Sequence, residues 1–352
     1  MKKLSVVIPT LNSSKTLPEA LEAVFSQDYP REDYEVIISD AGSKDATIEI
    51  AKSFGVDKIV SNPLKTGEAG KTAGINASSG ELIALIDSDN ILPDKSWIRR
   101  MVAPFDDDGI FASEPIAYSS RPTDSSLTRY FAALGMNDPL CLFVGNYDRI
   151  SDVTGKWTSL NVRTEDKGDY LKLDLDGKVM PTIGANGFVF RKNILKTIKF
   201  EPYFFDIDVA QDAVRQGYGA IAKVKTSIIH LYCEKFSDFT RKQRRRIQDF
   251  LFFSKTKDRT FAWGAQKKIG LVYFILATVT VLPLVWDVIR MAFRANSRKD
   301  DLRANAKFAL WWHIPVCVST LWIYSAGVIK RILGISVPML DRDKWQCDKI
   351  VK

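Results

Sequence analysis

The first ninety residues alternate short β-branched runs with helical stretches, and this alternation narrows the folds open to the chain. The runs LSVVIP, YEVIISD, DKIVS and ELIALIDSD each predict a buried strand. Between the first two, Leu17, Ala20, Leu21 and Val24 recur at helical spacing. Strands and helices that alternate at this pace form a parallel sheet with covered faces. A composition of 46% hydrophobic and 26% charged residues over 352 positions excludes disordered and collagen-like chains.

Polar residues follow three of these predicted strands at the point where each one ends. Pro9, Thr10 and Asn12 follow the first strand, and Asp40 ends the second. The fourth runs into Asp87-Ser88-Asp89. In parallel sheets ligands bind beyond the carboxyl ends of the strands. Period-two geometry predicts that both carboxylates of this DSD segment lie on one side of an extended backbone, where hard oxygen ligands favour Mg²⁺ or Mn²⁺.

The ordered set of these motifs resembles the family-2 glycosyltransferases. The resemblance rests on SVVIPTLN, IISDAGSKD, GEAGKTAGINASSGE leading into LIALIDSDN, and GANGFVFRK, and it covers residues 4 to 235. It implies an α/β nucleotide-diphospho-sugar transferase fold of the glycosyltransferase A type with a mainly parallel central sheet. We add to this fold a C-terminal interfacial helix and two membrane helices.

The resemblance also implies a role for individual residues toward a nucleotide-sugar donor. Pro9, Thr10 and Asn12 would line the base and the ribose, and Asp40 would accept a hydrogen bond from the base. Asp87 would touch the ribose with Ser88 beside it, Asp89 would bind the metal, and Lys71 would approach the pyrophosphate. Gly70-Lys71-Thr72 imitates the end of a P-loop, but Lys65 stands where that motif requires its first glycine.

The acceptor half carries the remaining candidate residues. The resemblance places acceptor and donor-sugar contacts at Asn186 and Gly187. Many members of the resembled family carry an acidic pair nine residues before a Gly-aromatic pair. Counting back from the Gly-Tyr pair at 217–218, this resemblance implies Asp208 as the candidate general base, with Asp206 and Asp212 as rivals. An acceptor phosphate, already ionised at neutral pH, would need no base.

Two basic candidates follow the last predicted strand. Family relatives place a His and an Arg-containing helix over the donor diphosphate, which suggests His230 and Arg245. The helix predicted from FSDFTRKQRRRIQDFLFF has one cationic and one apolar face and is expected to lie on anionic headgroups. A solvated basic face therefore explains most of its arginines better than contacts to a donor do.

The C-terminal third of the chain differs from the rest in its net charge and in its two long apolar runs. Residues 238–352 hold 22 basic and 9 acidic side chains, a net charge of +13, whereas residues 1–237 carry −5. Ile269–Trp286 and Phe308–Ile329 contain no charged side chain, and ~20 such residues suffice to cross a bilayer. We predict two spans, although the basic loop 287–307 would then lie outside; Pro283 and Pro315 keep a re-entrant or in-plane hairpin open.

Three segments are therefore expected. Residues 1–235 form the catalytic domain, with a nucleotide-binding half at 1–90 and an acceptor half at 91–235; residues 236–268 form a basic interfacial segment. Residues 269–352 form a membrane hairpin, with helices near 269–290 and 308–330, and a basic tail. No secretory signal is evident, and the four cysteines lack a CxxC pair, so we expect a cytoplasmic catalytic domain.

These expectations combine into one predicted activity. An inverting, metal-dependent transferase would move a sugar from a UDP- or GDP-sugar to a lipid-linked or polyprenyl-phosphate acceptor at the cytoplasmic membrane face. Two alternatives stay open: a sugar nucleotidyltransferase, and a non-catalytic membrane scaffold with the same fold. Apolar runs on both sides of the basic charges argue against nucleic acid as a partner.

Overall fold

The computed structural model describes residues 1–184, 186–256, 260–261, 268–297 and 308–335. The strands are β1 (Leu4–Thr10), β2 (Tyr34–Asp40), β3 (Lys58–Ser61), β4 (Leu82–Leu85), β5 (Asn90–Ile91), β6 (Ile110–Ser119), β7 (Arg163–Asp166), β8 (Tyr170–Asp174), β9 (Phe188–Arg191) and β10 (Ala220–His230). The helices are α1 (Leu17–Phe25), α2 (Thr47–Ser53), α3 (Gly67–Ala77), α4 (Trp97–Val102), α5 (Ser126–Leu134), α6 (Leu140–Val144), α7 (Asp206–Arg215), α8 (Phe236–Thr256), α9 (Lys268–Thr280), α10 (Leu282–Ser297) and α11 (His313–Ile332). Single 3₁₀ turns occupy Arg31–Asp33, Ala103–Asp106, Lys192–Lys196 and Ala309–Trp312.

The contacts divide the chain into two units, of which the first comprises residues 1–116 and 161–230. Its strands belong to one sheet in the order β3-β2-β1-β4-β9-β6-β10-β8-β7, with β5 paired to β10. The strands β3, β2, β1 and β4 are mutually parallel, whereas β9 runs antiparallel to β4. A parallel half is thus extended by an antiparallel half, which confirms the predicted fold class.

The predicted helical stripe in α1 faces the core. Leu17, Ala20, Leu21 and Val24 have no exposed surface, as expected for the apolar face of a helix that covers a sheet. Gly55 adopts a left-handed φ of 69° two residues after α2 ends, which is the conformation that terminates the predicted second helix. Local periodicity therefore located these elements correctly.

The glycines of GEAGKTAG allow α3 to lie directly on β1. A Cβ added to Gly74 would stand 2.3 Å from Cγ1 of Val7, and one added to Gly70 would stand 2.9 Å from Cβ of Pro9. The side chain of Thr66 caps the helix by accepting from the Ala69 N–H. Close helix-to-strand packing therefore accounts for the glycine spacing that imitates a P-loop.

The second unit comprises residues 117–160 and 231–352. Its core gathers α5 and α6 with the C-terminal helices: Leu127, Tyr130, Phe131 and Leu142 pack with Tyr232, Phe239, Val288, Met291, Leu310 and Val316. Residues 117–160 were expected in the acceptor half of the catalytic domain, yet they are grouped with the C-terminal helices. Their aromatic side chains pack against apolar residues of the C-terminal helices, and these contacts between distant segments cannot be predicted from local sequence patterns.

The first apolar run does not form one straight helix as expected. Helices α9 and α10 meet at an angle of 95° around Val281, whose φ of 64° is unusual for a β-branched residue. Pro283 stands in the first turn of α10, where its missing N–H costs no helical hydrogen bond. The second run, Ala309–Ile332, is long and apolar enough to cross a membrane by length and composition.

Candidate active site

The carboxyl ends of β1 and β2 are joined through the Asp40 carboxylate. Its Oδ1 accepts from the Thr10 hydroxyl at 2.9 Å and from the Ser43 hydroxyl at 2.5 Å. Its Oδ2 accepts from the backbone N–H groups of Gly42 and Ser43. The carboxylate thereby holds the loop after β2, and a nucleobase contact to Asp40 would have to replace one of these four donors.

Asn12 and Ser88 connect the neighbouring loops. Asn12 has a left-handed φ of 49°; its N–H donates to the Ser43 hydroxyl and its Oδ1 accepts from the Lys44 N–H. The hydroxyls of Ser13 and Ser88 lie 2.9 Å apart, which ties the loop after β1 to the segment after β4. The predicted residues Pro9, Thr10, Asn12, Asp40 and Ser88 therefore share one edge of the sheet.

Residues 87–90 form a turn, so the expectation of an extended DSD segment is wrong. The strand β4 ends at Leu85, and the Asn90 N–H donates back to the Asp87 carbonyl at 2.9 Å. Asn90 is fully buried, and its side-chain amide donates to Asp89 and to Asn186. The turn separates the surroundings of the two carboxylates: Asp87 acts electrostatically on Lys71, whereas Asp89 faces His230.

Asp89 and His230 form the pair that fits a divalent cation best. Asp89 Oδ1 lies 3.5 Å from His230 Nε2, although the two residues come from different strand ends. Two ligands at right angles on an ion with bonds of about 2.1 Å lie about 3 Å apart, so this spacing suits a shared cation. Within the described ranges, no three His, Cys, Asp or Glu side chains gather as a metal group. Water or substrate oxygens would have to complete the coordination.

Lys71 does not point to open solvent but pairs with Asp206. Its Nζ lies 2.5 Å from Asp206 Oδ2, and the two side chains are only 9% and 13% exposed. Asp206 Oδ1 is buried and has no hydrogen-bond partner. Gly184 permits this arrangement, because a Cβ there would stand 2.6 Å from the Cβ of Asp206. One carboxylate oxygen thus meets an ammonium group while the other is left unsatisfied.

The electrostatics of the pair favour a protonatable carboxyl beside a permanent cation. Burial raises the pKa of Asp206 to about 7, with Asp87 and Glu68 adding to the rise and Lys71 opposing it. Burial lowers the pKa of Lys71, but Asp206 and Asp87 outweigh it and hold that pKa above its usual value. Asp206 therefore titrates close to neutral pH while Lys71 keeps its charge.

The other two acids of α7 differ from Asp206. Asp208 is buried in the first turn of the helix, where the helix dipole favours a carboxylate. Asp212 pairs with Arg215 one turn later at 3.2 Å, as surface i,i+3 pairs do. Among the three acids that the sequence left open, Asp206 contacts Lys71, which is another predicted site residue.

The GANG segment reaches the same edge through Asn186. Its Oδ1 accepts from Asn90 at 3.1 Å, and its φ of 50° lies in the left-handed region. Gly187 has a φ of 88°, and a Cβ there would stand 3.0 Å from both Ile228 and Trp97. Gly187 is therefore needed for packing, whereas Asn186 presents a polar side chain to the site.

Two supporting residues escaped the sequence analysis. Glu114 and Lys223 form a fully buried ion pair at 2.7 Å, and Glu114 Oε1 accepts from the Gly184 N–H at 3.0 Å. The pair thereby holds Gly184, the first residue of the GANG segment, in place. The available signal was a charged residue within a largely apolar strand: Glu114 in IFASEPIAYS, and Lys223 in AIAKVKTSIIH, which also contains Lys225. Arg245 lies on α8 of the second unit, and its role toward a donor stays a prediction.

Comparison with known proteins places this geometry in context. The glycosyl transferase family 2 model matches residues 5–199. The glycosyltransferase AglE of Haloferax volcanii is 34% identical over 112 residues, which cover 30% of this chain and 36% of that protein. The GalNAc(5)-diNAcBac-PP-undecaprenol beta-1,3-glucosyltransferase of Campylobacter jejuni is 33% identical over 98 residues, covering 26% of this chain and 31% of that protein. The chain thus aligns with about a third of these relatives' length.

A solved structure extends the likeness to the fold of nearly the whole chain. The mannosyltransferase PcManGT from Pyrobaculum calidifontis, determined with GDP-Man and Mn²⁺, aligns with a TM-score of 0.52. The alignment covers 96% of this chain and 88% of that one at 15% identity, which is evidence about fold alone. The family model, in contrast, matches more than half of the chain. The chain therefore belongs to glycosyl transferase family 2.

Proposed function

We propose that this chain transfers a sugar, with inversion, from a UDP- or GDP-sugar to a lipid-linked acceptor at the cytoplasmic face of a membrane. The observation that carries the proposal is two pairs connected through the segment after β4: Asp87 acts electrostatically on the Lys71–Asp206 pair, and Asp89 pairs with His230. Departure of a diphosphate requires positive charge, which Lys71 and a metal held by Asp89 and His230 would supply. Attack by a hydroxyl requires a base, which a carboxyl with a pKa near 7 would supply.

The donor would lie across the ends of β1, β2 and β4. Thr10, Asn12 and Asp40 border the base and ribose side, with Asp87 and Ser88 across from them. Asp89 and His230 would hold Mg²⁺ or Mn²⁺, which when bound neutralises charge on the leaving diphosphate. Lys71 would stabilise the same charge through its ammonium group. The structure of PcManGT contains both GDP-Man and Mn²⁺, which supports a nucleotide-sugar donor and a divalent cation for this chain.

We place Asp206, ahead of Asp208, as the general base. An acceptor hydroxyl oxygen bonds to the anomeric carbon while the bond from that carbon to the diphosphate oxygen breaks. The hydroxyl proton moves to Asp206, and the nucleoside diphosphate leaves with the bonding electron pair. The ammonium of Lys71 beside Asp206 favours its carboxylate form, which is the form that accepts a proton.

A lipid-linked acceptor is supported by two observations. The name of the Campylobacter jejuni relative specifies an undecaprenol-linked substrate, and that of a Methanococcus voltae relative, 28% identical over 111 residues, specifies a dolichyl phosphate. The second unit also exposes large apolar side chains along its C-terminal helices. Both observations favour an acceptor that is held at a membrane.

The test is release of nucleoside diphosphate by the detergent-purified full chain. UDP- and GDP-sugars are supplied with Mn²⁺ or Mg²⁺, with and without a membrane lipid extract, and radiolabelled sugar is traced into the lipid fraction. We expect lipid-stimulated release that EDTA abolishes and Asp89→Asn reduces by 10²-fold or more. Leu64→Gln, a substitution of an exposed residue on the first unit, serves as a control that retains activity.

Two outcomes would replace the proposal. Pyrophosphate release from a nucleoside triphosphate and a sugar phosphate would identify a nucleotidyltransferase. Absence of turnover with every donor, although the folded protein binds UDP or GDP, would favour a non-catalytic scaffold. Turnover that survives EDTA would remove the metal from the mechanism while leaving the transferase assignment intact.

A further inference from the structure

Helix α10 is apolar on two opposite faces. Leu284, Val288 and Met291 are buried in the second unit. Leu282, Trp286, Ile289 and Phe293, spaced by four, three and four residues, form an exposed stripe in which Trp286 is 53% and Phe293 is 70% exposed. A helix packed on a soluble core needs only the first of these faces. The second face calls for an apolar partner outside the unit.

The neighbouring helices expose comparable surfaces. On α11, Val316, Thr320, Ile323 and Gly327 are buried, whereas Val318, Trp322, Ile329 and Ile332 are exposed, Trp322 to 79%. On α9 the exposed residues are Ile269, Leu271, Val272, Tyr273, Ile275, Leu276 and Val279. Exposed apolar surface of this extent marks an interaction site rather than ordinary solvent contact.

Although α11 is long enough to span a bilayer, its packing partner argues against a span. Trp312, next to its first residue, stacks on Phe236 of α8 at 5.5 Å. Further along, the Tyr324 hydroxyl donates to Gln243 of α8 at 3.0 Å. The two helices thus run side by side through this part of the unit.

The contact between these helices continues to Gly327, and α8 carries charge along the same stretch. A Cβ at Gly327 would stand 2.6 Å from Ile247 of α8. Arg244 on α8 is exposed and Arg245 is partly exposed. A charged side chain within the hydrocarbon core is costly, so a helix that runs beside these arginines is poorly suited to cross it.

The bend in the first apolar run leads to the same conclusion. The 13 residues of α9 span about 20 Å at 1.5 Å per residue, short of the roughly 30 Å of hydrocarbon. The chain then turns by 95° into α10, whose last turn carries Arg294 bonded to the backbone of Asp152. The 16 residues of α10 span about 24 Å, so neither arm of the bend is by itself long enough to cross the hydrocarbon core.

The distribution of basic residues distinguishes the possible topologies. Ten basic residues lie in 241–268, six in 287–307 and six from 330 onward. Two spans would leave the middle group outside, and a single span by α11 would leave the last group outside. Only an arrangement in which both apolar runs enter and leave on one side keeps all three groups on the cytoplasmic face, as the positive-inside bias prefers.

We propose that α9, α10 and α11 form a monotopic platform that inserts into one leaflet of an anionic bilayer and crosses it nowhere. Their exposed apolar side chains would enter the acyl region, and the basic residues around them would meet anionic headgroups. This inference rests on the proposed function in that the lipid-linked acceptor is drawn from the same leaflet. It replaces the two spans that the sequence alone favoured.

The topology test uses cysteine labelling in native membranes. Two full chains are compared: one carries the native Cys347, and the other combines Ala304→Cys with Cys347→Ser. The native Cys233 and Cys317 are kept in both because they are buried. A chain with Cys347→Ser alone measures background labelling from Cys141. A membrane-impermeant maleimide is applied to inside-out and right-side-out vesicles. We expect both positions to react in inside-out vesicles only.

Every other labelling pattern overturns the platform. Reaction of residue 304 only in right-side-out vesicles would establish two spans. Reaction of Cys347 only in right-side-out vesicles would establish one span by α11. Labelling of either position only after detergent is added would place that segment within the bilayer. Because labelling does not depend on turnover, a failed platform and a failed glycosyltransferase assignment give different results.

A flotation assay tests the apolar surface directly. The double variant Trp286→Glu/Phe293→Glu is compared with Leu64→Glu, which adds a charge at an exposed apolar residue of the first unit. With vesicles of phosphatidylcholine and phosphatidylglycerol, we expect the double variant to lose at least tenfold in bound fraction and Leu64→Glu to bind as wild type. Donor hydrolysis in detergent should be unchanged in both, which controls for folding. Unchanged flotation of the double variant would refute the platform.

Discussion

At the scale of single residues, the contact with Lys71 supports Asp206 as the proposed general base. Asp206 has a buried, unpartnered oxygen and a pKa near 7, whereas Asp208 lies one helical half-turn further along. We expect Asp206→Asn to lower kcat by 10²- to 10⁴-fold and Asp208→Asn by less than tenfold. Steady-state release of nucleoside diphosphate with lipid acceptor measures both. A large loss in Asp208→Asn alone would return the role to that residue, and wild-type rates in both would indicate a phosphate acceptor.

The pH profile follows from the same carboxyl. A base must be deprotonated to act, so kcat/KM should rise with pH through about 7 and level off above it. Lys71 opposes the rise in the Asp206 pKa, so Lys71→Met should move this limb to higher pH as well as weaken donor binding. Lys52→Met, which removes an exposed lysine of α2, should leave the limb in place. A limb that stays near pH 7 in Lys71→Met would mean that Asp206 is not the titrating group.

At the scale of elements, the approach of α3 to β1 depends on Gly74. Gly74→Ala would drive a methyl group into Val7, and we expect a loss of about 1–3 kcal/mol in the free energy of unfolding. Gly67→Ala on the same helix meets no atom within 4 Å and should be neutral or slightly stabilising. Urea unfolding of the full chain in detergent measures both. Adding Val7→Ala should recover part of the loss in Gly74→Ala, and failure to recover any would contradict the steric explanation.

The start of β2 is held by a carboxylate with a lowered pKa. Partial burial disfavours the charge on Glu35, but hydrogen bonds from Lys58, Ser5 and Ser79 outweigh it and lower the pKa to about 2. Because the folded-state pKa lies below the unfolded value of about 4.5, the stabilisation is present above pH 4.5 and is lost as pH falls toward 2.

A neutral replacement of Glu35 tests this dependence. We expect Glu35→Gln to cost about 1–2 kcal/mol at pH 7, after allowance for solvent screening, and to cost progressively less below pH 4.5. Thermal unfolding of both proteins across this pH range is the measurement. A difference in stability that does not change with pH would show that packing, rather than charge, explains the effect.

At the scale of the whole molecule, the two units are interleaved in sequence. Residues 117–160 contribute Leu127, Tyr130 and Phe131 to a core that also contains Val288, Met291 and Val316. A chain cut after residue 235, the boundary that the sequence suggested for the catalytic domain, would expose that core. We expect this truncated chain to aggregate or bind a hydrophobic dye where the full chain does not. A monodisperse fragment with cooperative unfolding would contradict this expectation.

Local patterns were sufficient for the parallel half of the sheet. The strands β1 to β4, the buried face of α1 and the end of α2 at Gly55 follow from spacing within a few residues, because periodicity and turn chemistry are properties of adjacent positions. The same reasoning placed Asp40, Asp87 and Asp89 at the carboxyl ends of the parallel strands. This reasoning failed at residues 87–90. The hydrogen bond from the Asn90 N–H to the Asp87 carbonyl forms a turn there, and no hydrophobic periodicity predicts that turn.

What the sequence by itself determined is the class of fold, the family and the edge of the sheet that holds the candidate site. Only the tertiary structure decided that Lys71 meets Asp206 across 135 positions, that His230 reaches Asp89, and that Glu114 and Lys223 support the GANG turn. It also decided the bend at Val281 and the course of α11 beside α8. These contacts join residues that lie far apart in the sequence. They depend on long-range packing, and long-range packing leaves no local period in the sequence.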